Sequence, residues 1–248
     1  MKVTTKIKSR FVKDFSLPIK MLDDNRFFYF LDIYDRHFEC RALWANVLEE
    51  YSRFETDKDF LDQHDRVKHK IIKDIKETQE YQDFIAMDMK PYHVSQGLPT
   101  QTLYHHDNLG RVFLSLDMEK ANFQALRYIN PKILFDCKGY EALLAKYTDS
   151  WYITKSKSVR QFIFGNLNPK RQQSIQKFLM HKIVDELKMD FLAELPVCVI
   201  SASSDEVIID VTDLPPEDRE CLVDSLIDHL DNEETVPKLR VEVFKLFR

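Results

Sequence analysis

The succession of local patterns over residues 100–247 constrains the fold of this 248-residue chain more than any other feature. The apolar stretch Val112–Leu116 reads as a strand running into Asp117, and MEKANFQALRYI after it reads as a helix closed at Asn130-Pro131. Ahead of that strand, TQTLYHH and the turn DNLG complete a predicted hairpin with RVFLSLD. Residues 131–150 read as a helix and loop. Residues 157–190 hold a long helix after Pro169, a residue suited to a first helical position. PVCVI, the turn SASSD and EVIIDV then form a second hairpin. LPPEDRECLVDSLIDHLD follows as a helix with Asp213 as its cap, and KLRVEVFKLF ends the chain as a strand. Strand–helix–strand–strand–helix–strand is the split βαβ, ferredoxin-like order. The expected class is α+β, an antiparallel sheet of four strands with helices on one face.

Residues 1–90 have a different texture and are expected to form a mainly helical N-terminal region. In residues 27–51 the apolar positions Phe27, Phe30, Leu31, Tyr34, Phe38, Trp44, Val47 and Tyr51 recur at helical steps, and a second helix is predicted over 61–86. The remainder, 91–248, is expected to be the α+β domain, with a short helical insertion at 129–190. Four glycines in the whole chain leave neither GxGxxG nor GxxxxGK[ST], which excludes a Rossmann dehydrogenase and a P-loop ATPase. Cys40, Cys137, Cys198 and Cys221 lack disulfide or zinc-ribbon spacing. With no signal-like or membrane-length apolar run, a cytoplasmic protein with no membrane partner is expected.

Charge is segregated. Residues 155–182 hold Lys155, Lys157, Arg160, Lys170, Arg171, Lys177 and Lys182 with no acid among them, whereas 213–234 hold nine acids against Arg219. A polyanion-facing surface backed by an acidic one produces this pattern, as do two ordinary solvated helix faces.

Three segments carry candidate chemistry. Asp117, at a strand end, suits a Mg²⁺ ligand, and the same placement serves a helix N-cap. Asp205 and Glu206 follow Ser203-Ser204 at a hairpin tip, where acids are a costly way to decorate a turn. They point to different sides, which favours Asp205 as the ligand. In the ferredoxin-like order this tip lies beside the end of the first strand, so Asp117 and Asp205 converge, an arrangement suited to paired metal ions in phosphoryl transfer. Between them, Lys157, Arg160, Gln161 and Phe164 share a helix face by spacing, suited to a triphosphate and a base, and NLNPKRQQSIQK extends the basic surface. His105, His106 and Asp107 are metal-ligand types, but as strand neighbours they face opposite sides and only some can serve one site.

The order and spacing over residues 100–247 resemble the palm of right-hand nucleic-acid polymerases, nearest in pattern to the DNA polymerase B family. LSLDMEKANF resembles motif A. Lys157 to Gly165 resembles Lys-x-x-x-Asn-Ser-x-Tyr-Gly of motif B, with Gln161-Phe162 in place of Asn-Ser. SASSDEVIID resembles the motif C hairpin, with Val207 where a second aspartate stands and Glu206 left as the second acid. The resemblance implies a Mg²⁺- or Mn²⁺-dependent nucleotidyltransferase that extends nucleic-acid 3′ ends with nucleoside triphosphates. It further implies Asp117, Asp205 and Glu206 as catalytic acids, Asp117 and Asp205 as metal ligands, and Lys157, Arg160, Gln161 and Phe164 around the triphosphate. Asn122 or Phe123 would meet the sugar, and the basic surface with Lys155, Lys170, Arg171 and Lys177 is expected to meet the nucleic acid. The alternative is a non-catalytic palm relative that binds nucleic acid or serves assembly, and a third reading is a palm-fold cyclase. The aromatic N-terminal helices are expected to meet a protein partner.

Overall fold

In the computed structural model, residues 3–94, 97, 99–190, 192, 195–232 and 237–247 are described. Ser95, Gln96 and Leu98 of the turn-rich stretch after Pro91, and Glu233 and Glu234 of the acidic block, lie outside them. In chain order the helices are α1 (Thr5–Asp14), α2 (Asp24–Phe38), α3 (Cys40–Tyr51), α4 (Asp57–Glu77), α5 (Gln79–Ala86), α6 (Ala121–Ile129), α7 (Tyr140–Ala145), α8 (Trp151–Lys155), α9 (Lys157–Gly165), α10 (Pro169–Asp190) and α11 (Pro216–Asn232). The strands are β1 (Val112–Met118), β2 (Cys198–Ala202), β3 (Glu206–Asp210) and β4 (Leu239–Lys245).

The chain divides into two compact units, residues 1–82 with 134–167, and residues 83–133 with 168–248. This differs from the division at residue 90 expected from sequence, because 134–167 packs with the N-terminal helices. Long-range contacts explain the difference. The buried Glu50 carboxylate accepts from the Ser150 hydroxyl and from the Tyr152 backbone N–H at 2.9 Å. The Tyr152 ring lies in the core formed by Phe11, Phe27, Trp44, Tyr51 and Phe60. Ser158 on α9 donates to Asp14, itself held by Arg10 at 3.0 Å.

Local chemistry sets the helix ends in this unit. Asp23 caps α2 by accepting from the Arg26 N–H, and Thr56 caps α4 by accepting from the Asp59 N–H. Glu39 takes a left-handed conformation (φ 50°, ψ 38°) that stops α2 and starts α3. The helix expected over 61–86 is two helices, because extended Thr78 ends α4 and its hydroxyl accepts from the Tyr81 N–H.

In the second unit the four strands form one antiparallel sheet in the order β2-β3-β1-β4, the ferredoxin-like arrangement expected from the pattern. The first crossover carries α6 to α10 and the second carries α11. Alternation along β1 and β3 sends Leu114, Leu116, Met118, Val207 and Ile209 to one face, all of them buried. On β3 and β4 this sheet receives α10 and α11, and α10 also packs on α6. The opposite face carries Phe113, Ser115, Asp117, Glu206 and Ile208.

Two predicted elements are corrected. TQTLYHH is not a hairpin arm, because both edges of β1 are already paired, with β3 and with β4. Residues 99–101 instead lie along β2, with Ala202 N–H donating to Pro99 O at 2.7 Å and Gln101 N–H to Ile200 O at 3.1 Å. The last long helix begins at Pro216, so Asp213 is not its cap.

His64 on α4 supplies a stability test. Its ring lies against Phe60 (4.5 Å between centroids) and Tyr152 (5.1 Å), with neither nitrogen hydrogen-bonded. Burial, then the charge of Arg10, pushes its pKa down from 6.5 to about 4 against the opposing pull of Asp14. A lowered folded-state value gives a contribution complete above 6.5 and lost as pH falls through about 4. Urea unfolding should therefore show about 3 kcal/mol of stability lost between pH 7 and pH 4 through this residue. That share of the loss should be missing in His64→Phe.

Candidate functional site: an acidic cluster on the open face of the sheet

Asp117 is the next-to-last residue of β1, and the register places Glu206 directly across from it on β3 and Arg240 directly across on β4. The helix α6 begins only at Ala121, with Lys120 in a left-handed conformation (φ 53°, ψ 47°) at the cap position. Asp117 is thus a strand residue and not the helix cap that its sequence position also allowed. Directly opposed residues point to the same side of a sheet, so Asp117, Glu206 and Arg240 share the face away from α10 and α11, and Ser115 and Glu242 follow two residues along.

The β2–β3 hairpin tip sits beside the end of β1, as the strand order predicts. The Met118 N–H donates to the Asp205 backbone O at 2.7 Å, and the Ser203 N–H to the Glu206 O at 2.8 Å closes the turn. Ser203 Oγ accepts from the Glu206 N–H at 3.0 Å and donates to Asp205 Oδ1 at 3.1 Å, and Ser204 Oγ donates to the same carboxylate oxygen at 3.2 Å. Ser115, buried, donates its hydroxyl to Glu206 Oε1 at 2.8 Å. Of the two adjacent acids, Glu206 is the one opposed to Asp117, and Asp205 occupies the turn.

The electrostatics follow from this crowding. Burial pushes the Asp117 carboxyl above its ordinary range, Arg240 pulls it down, and Glu206, Asp205 and Glu242 push it up again. Arg240 donates to Asp117 Oδ2 at 3.0 Å and lies 3.4 Å from Glu242 Oε1. Sequence reasoning missed Ser115, Arg240 and Glu242. The period of two in LSLD and in KLRVEV would have placed them on the face of Asp117.

A divalent ion is the test of such a donor set. Carboxylate oxygens suit Mg²⁺ or Mn²⁺, and Mg²⁺ is commonly held by one or two carboxylates with phosphate oxygens and water completing its shell. Asp117 and Glu206 fit that mode, and a cation between them would answer the burial and, after it, the acidic neighbours that raise the Asp117 carboxyl. Among the described residues no three of these acids bring ligand atoms within 4.8 Å of one another; the one set of three that does is His105, His106 and Asp107.

The remaining predicted residues are distributed between the units. Lys155, Lys157, Arg160, Gln161 and Phe164 belong to the helical unit, while Asn122, Phe123, Lys170, Arg171 and Lys177 belong with the sheet. Phe164 is fully buried with its ring near Tyr140, and Phe123 is 1% exposed, so both rings serve the core in place of the base and sugar contacts expected of them. The face predicted for α9 is split accordingly: Lys157 and Gln161 are exposed, and Arg160 lies over the Tyr140 ring at 5.9 Å. Asn122 Oδ1 accepts from Gln176 at 2.8 Å. Arg171 donates to the Phe84 and Met87 carbonyls at 3.1 and 2.9 Å, which commits it to the chain end of α5. Lys155, Lys170 and Lys177 are exposed. On α2, Phe28, Tyr29, Ile33 and Phe38 remain exposed on the region expected to meet a protein partner. No described helix is long and apolar enough to cross a membrane.

No protein-family model, curated protein or solved structure matches this chain.

The raised Asp117 value has a thermodynamic consequence. Its contribution favours folding fully below the ordinary 3.8 and is lost as pH rises through the raised value, so the ionised carboxylate opposes folding at neutral pH. Asp117→Asn should melt at a higher temperature than the native chain at pH 7, with the gap closing as pH falls toward 4. Differential scanning calorimetry across that range checks it.

Proposed function

We propose that this chain is a divalent-metal-dependent nucleotidyltransferase of palm type, extending a nucleic-acid 3′ end with nucleoside triphosphates. The observation that carries the reading is the placement of Asp117 directly opposite Glu206, with Asp205 at the adjoining turn, on the face of a split βαβ sheet away from α10 and α11. The resemblance of LSLDMEKANF and SASSDEVIID to the two acidic palm motifs supports it from the sequence side.

In this reading Asp117 and Glu206 hold Mg²⁺ or Mn²⁺, with Asp205 as a further acid from the hairpin tip. The bound metal supplies Lewis-acid activation of the attacking hydroxyl and neutralises charge on the leaving pyrophosphate. The chain's own residues do the positioning. Ser115 fixes one Glu206 oxygen, the two turn serines fix Asp205, and the paired edges of β1 hold Asp117 at the end of a rigid strand. Arg240 balances the Asp117 charge, and with Glu242 3.4 Å away it would keep an acidic partner if a divalent ion were held by Asp117. Lys170 and Lys177, exposed on α10 in the same unit as the sheet, are the proposed contacts to the nucleic-acid backbone.

The Arg240–Asp117 ion pair also favours a second reading, a palm relative that binds nucleic acid without catalysis, in which the guanidinium replaces the metal permanently. One experiment separates the two. Incorporation of labelled nucleoside triphosphate on a primer–template with Mg²⁺ or Mn²⁺ should be detectable, and should fall about a hundredfold or more in Asp117→Asn and in Glu206→Gln. Absence of incorporation together with retained nucleic-acid binding supports the non-catalytic reading. Incorporation that survives both substitutions removes the acids from the mechanism.

A further inference from the structure

The segment just before β1 carries a second cluster whose chemistry differs from that of the sheet face. His105, His106 and Asp107 were expected on a strand, where neighbours diverge. They instead fall at a single turn of 3₁₀ helix spanning His106–Asn108, and the tight winding brings all three side chains together. One ligand atom from each lies within 4.8 Å of the other two. Asp107 bridges the rings: its Oδ1 is 2.8 Å from His106 Nε2 and its Oδ2 is 3.2 Å from His105 Nδ1. The ring centroids are 4.1 Å apart.

These separations are close to those a small tetrahedral ion demands. Ligand atoms about 2.0–2.1 Å from zinc stand about 3.4 Å from one another, so modest side-chain rotation seats an ion among the three. All three side chains are more than half exposed, which leaves an open approach and room for water in the remaining coordination position. The backbone beneath them is held in place. The Asn108 carboxamide, largely buried, donates to the Leu103 carbonyl at 2.8 Å and to that of Thr102 at 3.3 Å, and the Gly110 N–H donates to Leu246 O at 2.9 Å. Leu103 packs on Phe113, Ile200 and Ile208, on the face of the sheet that carries the acids. Arg111, the cation adjoining this turn in sequence, is paired with Asp210.

We propose that His105, His106 and Asp107 form a transition-metal site, separate from the acidic cluster, that binds Zn²⁺ through two imidazole nitrogens and one carboxylate. Two nitrogen donors and one oxygen select zinc, nickel or cobalt over Mg²⁺, which takes oxygen ligands in octahedral geometry. An ion there cross-links the turn that lays residues 99–110 against the sheet, so binding stabilises that segment as any native-state ligand does.

Isothermal titration of the full chain with Zn²⁺ in about 5 mM Mg²⁺, an excess meant to fill any oxygen site, tests the assignment. The expected result is one Zn²⁺ equivalent whose affinity falls about tenfold or more in His105→Ala/His106→Ala, with unchanged affinity in Asp117→Asn. Zinc should also raise the melting temperature of the native chain and leave that of the double variant unmoved. The substituted histidines are exposed, and the variant's circular dichroism should match the native spectrum. Equal zinc affinity in the native chain and the double variant would overturn the proposal, as would loss of zinc binding in Asp117→Asn.

Discussion

β1 is paired along both edges, and this double pairing fixes what the molecule can do with its acids. The register with β3 sets Glu206 opposite Asp117, and the register with β4 sets Arg240 there from the other side. A one-residue slip on either edge would turn every side chain of that strand over and bury the charges under α10 and α11. The apolar set Leu114, Leu116, Val207 and Ile209 prevents such a slip, because its burial is possible in only one register. The hydrophobic face therefore specifies the geometry of the polar one.

Charge is the second constraint. A half-buried carboxylate with three acids near it is unfavourable unless a cation answers it, and Arg240 is the cation the fold supplies. The ion pair lies at the open face, where water and a competing cation reach it. The same reasoning separates the two candidate ion sites. One presents oxygen atoms from strands that are held apart by their pairing, and the other presents imidazoles from a tight turn, so each favours a different class of metal.

The strand order was legible because three of the four strands are short, mostly apolar runs bounded by turn residues and the fourth, LRVEVFK, alternates apolar with charged residues. Asp117 beside Asp205 followed from that order alone. The false hairpin arm TQTLYHH has local turn chemistry in its favour; what excludes it is the occupation of both β1 edges by segments roughly 90 or more residues away in sequence, which no local window contains. The assignment of 134–167 to the helical unit likewise depends on Glu50 reaching Ser150 and Tyr152. His105 and His106 were misplaced for a related reason, since an alternating pattern does not distinguish a strand from a 3₁₀ turn held by the Asn108 side chain. Phe164 shows the limit of spacing. Its position matches a motif aromatic, yet the helix buries it with Val159 and Ile163 because that stripe is the apolar one.

The proposed function requires Asp117 and Glu206 to hold a divalent cation together on the face of the sheet away from α10 and α11. Paramagnetic broadening of backbone amide signals by substoichiometric Mn²⁺, in the presence of a nucleoside triphosphate, reads the ion's position directly. The amides of Asp117, Met118 and Glu206 should broaden first, and Glu206→Gln should abolish the effect. Broadening confined to other parts of the chain, or unchanged in that variant, would contradict it.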